Sequence, residues 1–385
     1  METLIDYVLA NGQITFDDKP LTLLDFALFN ELGYLQLIEH LPNDWRKQDE
    51  ICIHDLAPLF HESKQAIQFT FLNTKERIAL FEAFLRAKRY RHVTISHYIN
   101  DVNTEFERQF AAVVFSIPEL KTHQIVFRGT DDSLIGWKED FKLTYMREIP
   151  AQRAAVVYLR TILPTLSGEV IVSGHSKGGN LAVYAAANVS EDMQNRLSLI
   201  YMLDAPGFRK MFLESSGYRR VSGKIVSIKP HESVVGVMLT SDKISLIVAS
   251  KEKGMAQHLL LNWGVDRETD SFLGLEQLSP MSQKLEKTFA IWNQRLSHYE
   301  LKHLFDLLFD LLIEEGVSSL DDLSGKHPLE LRKHLEVYRQ LTPQQRRLFV
   351  KAFNLFILAY RSSKLPKVKA DKELLRLPEF FNRQK

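Results

Sequence analysis

The segment that most restricts the fold is residues 168–187, GEVIVSGHSKGGNLAVYAAA. A short run of β-branched residues passes through Gly-His-Ser-Lys-Gly into an Ala-rich stretch, so a buried strand must turn within a few residues into a helix. Small residues are needed two positions either side of the turn's centre, and Gly174 and Gly178 stand there, with Gly179 allowing further close packing. His175 and Lys177 flank Ser176 at the apex. Such a turn lifts the Ser176 hydroxyl clear of the sheet edge and aims a helix N-terminus, with its free amides, at the same point.

The surrounding pattern agrees with a sheet. HVTISHYI from residue 92, FAAVVFSI from 110 and HQIVFRG from 123 are short and rich in Val, Ile and Phe, with polar turns between them. Beyond the elbow, LSLIYML (197–203) and KIVSIK (224–229) continue the strand pattern, and Val234 to Ser250 reads as a hairpin. Apolar strands alternating with helices, such as the one over 151–163, predict an α/β architecture with a largely parallel sheet buried on both faces. Residues 21–41 and 63–88 have helical spacing, as do 298–316 and 342–362. The expected organisation is an N-terminal helical region (1–90) packed on an α/β core (91–270), followed by a C-terminal helical region (271–385).

The whole chain of 385 residues carries 49 Lys and Arg against 48 Asp and Glu, so it lacks the basic surplus that nucleic-acid binding requires. Residues 361–385 hold eight basic against three acidic residues, read as a solvated tail. The single cysteine, Cys52, excludes an intramolecular disulfide and a multi-cysteine zinc site. Glu2 and Asp6 stand where a signal peptide wants basic residues, and no stretch approaches the roughly 18 to 20 apolar residues of a spanning helix, so a cytoplasmic protein without a transmembrane segment is expected. Neither a metal nor an organic cofactor is expected, because no HExxH, cysteine cluster or dinucleotide fingerprint occurs.

A strained serine at an elbow implies nucleophilic catalysis, and a neutral hydroxyl then needs a histidine base and a carboxylate to orient it. In this architecture the chain order is Ser, acid, His. Of the later histidines, His298, His303, His327 and His334 fall in the helical tail, leaving His258, after the last strand candidate, and His231. The acid candidates are Glu232, after the strand KIVSIK, then Asp204, at the end of LSLIYML, and Asp242.

Arg128-Gly129-Thr130-Asp131, Trp137 and Asp140, together with GHSKGGNLA, resemble the class-three lipases. The chain is more similar still to an uncharacterised bacterial family of lipase-like hydrolases, through GHSKGGNLAVYAA, LDAPGF and Gln257-His258 before Trp263. The resemblance spans about residues 1–270. It implies an α/β-hydrolase fold and an esterase or lipase-like acyl hydrolase acting on a small-molecule or lipid-like ester. Thr130 and Lys177 would supply the oxyanion-hole amides, His258 the base and Glu232 the acid, with Arg128, Trp137 and Asp140 shaping the oxyanion loop. Lys177 departs from the apolar residue usual after the serine, which tells against a greasy triglyceride. Two other functions fit the same residues: a catalytically silent fold used for binding, and an acyltransferase.

Overall fold

The computed structural model describes residues 1–35, 44–47, 49–58, 74–103, 108–130, 134–314 and 341–362. Its centre is a nine-stranded sheet in the order β1 to β8 and then β11. The strands are β1 (Ile51–Cys52), β2 (Thr94–Asn103), β3 (Arg108–Ile117), β4 (Thr122–Phe127), β5 (Glu169–His175), β6 (Leu197–Leu203), β7 (Ile225–Pro230), β8 (Ser245–Val248) and β11 (Gly274–Leu275). β1 to β4 run antiparallel to one another, β4 to β8 are parallel, and β11 closes the edge antiparallel to β8. A separate antiparallel pair joins β9 (Val265–Asp266) to β10 (Ser271–Phe272).

Because each parallel strand is added on the same side of the last, right-handed crossovers put their helices on one face. Here lie α4 (Leu134–Lys142), α5 (Pro150–Ile162) and α6 (Lys177–Asn188). Tyr158, Leu159 and Leu181 share a core there with Ala112, Val114, Ile125, Val170, Val172, Ile200 and Met202. Residues of alternate parity, Val113, Phe115, Val126, Ile171, Tyr201 and Leu203, point to the other face, as the strand period of two requires. That face is covered mainly by the N-terminal helices α1 (Leu4–Asn11), α2 (Leu23–Leu32) and α3 (Lys75–Arg86), joined by Leu260, Trp263 and Phe272 in the second core.

All ten residues of α2 are buried, and its polar members are paired: Asp25 with Arg89, Glu31 with Arg77, and Asn30 with Ser173 of the elbow strand. Thr22 caps the helix by accepting from the amides of Leu24 and Asp25. The short helix α7 (Glu191–Arg196) leads into β6, and two more, α8 (Lys210–Leu213) and α9 (Ser216–Val221), fill the β6–β7 connection. After the sheet come α10 (Pro280–Arg295), α11 (His298–Glu314) and α12 (Pro343–Ser362). They reach the domain through α4: the rings of Phe141 and Phe305 are 4.5 Å apart, and Tyr145 joins the same cluster.

The expected hairpin over Val234–Ser250 is corrected by the structure. Residues 231–240 form a turn-rich loop, and β8 runs parallel to β7. The Gly236 amide is turned inward onto the Asp204 carboxylate, so it is not available to a hairpin ladder. The helical spacing predicted over 63–73 and beyond Leu35, and the basic tail after Ser362, lie outside the described residues.

Candidate active site

The parallel register of β4, β5 and β6 brings three chain segments to one sheet edge, pairing Phe127 with Gly174 and His175 with Leu203. Ser176 follows at φ 56° and ψ −133°, a conformation that side-chain-bearing residues rarely adopt and that costs about 1–3 kcal/mol. Its amide donates to the Leu203 carbonyl at 2.9 Å, which holds the turn. A Cβ on Gly174 would stand 2.1 Å from the Gly178 carbonyl carbon, and one on Gly178 would stand 2.0 Å from the Phe127 oxygen, so both positions require glycine. Lys177 opens α6, where the first amides have no acceptor within the helix.

Asp204, immediately after β6, is wholly buried. Its Oδ2 lies 2.7 Å from Nδ1 of His258, while Oδ1 accepts from the Ser233 hydroxyl at 2.5 Å and from the Gly236 amide at 3.1 Å. A carboxylate only accepts, so Nδ1 of His258 carries a proton. The His258 ring packs 4.5 Å from that of His175, the residue next to Ser176.

Glu232, the first acid expected from sequence, is engaged elsewhere: its Oε2 accepts from the Gly254 amide at 2.5 Å and from Nε2 of Gln257 at 3.2 Å. The carboxylate that meets His258 is Asp204. Asp242 accepts from the Tyr218 hydroxyl, and Nδ1 of His231 meets the Gln277 carbonyl at 2.9 Å, so both belong to other contacts. Ser233 and Gly236, which hold the Asp204 carboxylate, were not singled out in the sequence; the one signal for them is their position in the loop after β7.

Thr130 lies three residues after β4, and its hydroxyl donates to Oδ2 of Asp140 at 2.6 Å. Burial pushes the Asp140 carboxyl up to about 6, against the opposing pull of the Lys177 ammonium and the Thr130 hydrogen bond. Nζ of Lys177 donates to the Gln109 carbonyl at 3.0 Å, to Oε1 of Gln109 at 2.8 Å and to Oε2 of Glu139 at 3.0 Å. Glu139 in turn accepts from the amides of Gln109 and Ala151. The ammonium is therefore buried and held by protein acceptors. This pairing removes the ground on which Lys177 tells against a triglyceride. Arg128 donates from one NH2 to Asn100 at 2.9 Å, tying the segment after β4 to β2. Asp131 lies outside the described residues.

No group of three or more His, Cys, Asp or Glu side chains able to hold a metal ion occurs among the described residues. Among them, too, no helix is long and apolar enough to cross a membrane.

A sheet that is parallel from β4 to β8, with a strand-serine-helix elbow and a His-Asp pair in the loops after later strands, defines an α/β-hydrolase fold of the lipase-like kind. The model of the Mbeg1-like family matches residues 84–310, more than half of the chain, and the chain belongs to that family. No curated protein matches. Among solved structures the chain is similar to M37 lipase, at 13% identity and a TM-score of 0.36 over 55% of this chain and 68% of the other. It is also similar to Lip2 lipase from Yarrowia lipolytica, at 13% and 0.31 over 48% and 71%. A fungal lipase in complex with an inhibitor matches at 14% and 0.36 over 72% and 94%.

Proposed function

We propose that the chain is a serine hydrolase of carboxylic esters, acting through an acyl-enzyme with Ser176, His258 and Asp204 as its triad. The observation that carries this reading is the 2.7 Å contact between the buried Asp204 carboxylate and Nδ1 of His258, on a ring packed beside the elbow. Nε2 of His258 takes the hydroxyl proton as Ser176 Oγ attacks the ester carbonyl. Asp204 holds the tautomer and stabilises the imidazolium that results. The amides of Thr130 and Lys177 receive the oxyanion; removing one such donor typically costs about 3–4 kcal/mol of transition-state stabilisation.

Collapse of the tetrahedral intermediate expels the alcohol, which takes its proton from His258. Water, deprotonated by His258, then attacks the acyl-enzyme and releases the acid. Acyl transfer to an alcohol in place of water would use the same groups, and product analysis tells the two apart.

The reading is tested by hydrolysis of nitrophenyl acetate and butyrate. Ser176→Ala is expected to abolish turnover with the fold intact, and His258→Ala to lower the turnover number by about three orders of magnitude or more. Undiminished activity in a folded Ser176→Ala protein would refute it and leave a catalytically silent fold as the alternative.

A further inference from the structure

Tyr34 follows α2, and the family match begins only at residue 84. Its ring is buried, with the Arg77 guanidinium 4.5 Å from the ring centroid, and Arg77 is itself fixed by the buried ion pair with Glu31. The hydroxyl sits between two groups of the site: it accepts from the Gly129 amide at 3.1 Å and lies 3.1 Å from Nδ1 of His175. The other nitrogen of that ring, Nε2, lies 2.7 Å from the backbone carbonyl of His258. Packing at this point is tight, since a Cβ on Gly129 would stand 2.4 Å from the Tyr34 oxygen.

With a neutral His175 ring these contacts admit one arrangement of protons. A carbonyl only accepts, so Nε2 of His175 carries the hydrogen. Nδ1 of the neutral ring then accepts, Tyr34 donates to it, and the phenol oxygen receives the Gly129 N–H. Burial, reinforced by His258 and Arg77 nearby, holds His175 well below the usual histidine range, and burial likewise keeps the Tyr34 phenol protonated. A proton added at Nδ1 would leave the phenol oxygen facing two N–H donors, with its own hydrogen displaced.

We propose that Tyr34 is a positioning residue of the serine site, locking the backbone of the His258 loop to that of the oxyanion loop through His175. This rests on the functional reading above. Gly129 immediately precedes Thr130, whose amide is an oxyanion donor, and His258 is the base. One phenol and one imidazole therefore connect the main chains of the two groups that must hold their distance while charge moves from Ser176 to the carbonyl oxygen. The same arrangement keeps His175 uncharged 4.5 Å from the ring that becomes an imidazolium in the transition state. The segment that follows α2 thus reaches the serine site, while α2 itself packs in the core.

Tyr34→Phe removes the hydroxyl and keeps the ring against Arg77. The expected result is a fall in kcat of about 10- to 100-fold with KM within about twofold, as a small misplacement of catalytic groups produces. The second readout is independent of turnover: nitrogen chemical shifts of His175 in the wild-type protein, assigned with His175→Gln. They should show a neutral ring protonated at Nε2, with Nδ1 hydrogen-bonded, from about pH 5.5 to 8.5, around the ordinary histidine pKa. Tyr34→Phe should move the Nδ1 resonance toward an unbonded position.

Wild-type kcat in folded Tyr34→Phe would overturn the proposal, as would an Nδ1-protonated ring or titration near the ordinary histidine value. The wild-type shifts decide the proton arrangement whether or not the variant folds. A wild-type protein inert toward nitrophenyl esters would instead overturn the serine-hydrolase reading.

Discussion

Replacing Asp204 by Asn tests the triad through a conflict that the structure builds in. Oδ1 of Asp204 faces two donors, the Ser233 hydroxyl at 2.5 Å and the Gly236 amide at 3.1 Å, whereas Oδ2 faces only Nδ1 of His258. In Asp204→Asn the amide oxygen must take the Oδ1 position. The flipped orientation would set the new NH2 against the Gly236 N–H and strand a buried donor, at about 1–3 kcal/mol. The NH2 therefore points at Nδ1, which must become the acceptor. His258 is then protonated at Nε2 and cannot take the Ser176 proton.

A wrong tautomer of this kind lowers kcat by about 10⁴-fold, or about 5.4 kcal/mol of barrier, with little change in KM. Steady-state hydrolysis of nitrophenyl acetate, with circular dichroism to confirm the fold, measures it. Turnover within tenfold of wild type in folded Asp204→Asn would refute the reasoning.

Three further outcomes follow from the same contacts. Glu232→Gln keeps an acceptor for the Gly254 amide, so its kcat should stay within about tenfold of wild type by the same assay, and a collapse comparable to that of Asp204→Asn would return the acid role to Glu232. Lys177→Met leaves the buried Glu139 carboxylate without its cation and should lower the unfolding free energy by about 3–5 kcal/mol in urea; no loss would mean the ion pair contributes nothing. The Asp140 carboxyl is raised from 3.8 to about 6 in the folded protein, so the stability it contributes is full below about pH 4 and lost as pH rises through about 6. Relative to Asp140→Asn, the wild type should therefore lose about 3 kcal/mol across that window in denaturant midpoints, and a flat difference would contradict it.

That Ser176 stands on a strand-to-helix elbow and that His258 follows the last parallel strand could be read from the sequence because the signals are local: a glycine-bracketed turn between a β-branched strand and an Ala-rich helix, and a histidine beyond the last strand run. The carboxylate that meets His258 could not be chosen so, because Asp204 and Glu232 both follow strands that end at the same sheet edge. What separates them is tertiary: Gly254 and Gln257 hold Glu232, while Ser233 and Gly236 turn Asp204 toward the ring. The direction of Lys177 was equally hidden, since its acceptors Gln109 and Glu139 come from β3 and α4.

The helical N-terminus was legible as helices, but its role as the cover of one sheet face follows only from the strand order, in which successive parallel strands add on one side. Tyr34 carries no local signal at all. Its partner His175 is 141 positions away, and no periodicity in the chain connects them.

The claim on which the rest depends is that Ser176 is an activated nucleophile, and intact-mass and peptide mass spectrometry after treatment with a fluorophosphonate tests it directly. A serine whose proton can pass to His258 displaces fluoride and retains the phosphonyl group. One adduct per chain is expected, on the peptide containing Ser176, absent from Ser176→Ala and formed far more slowly in His258→Ala. A folded wild-type protein that gains no mass, or gains it on another residue, would contradict the account.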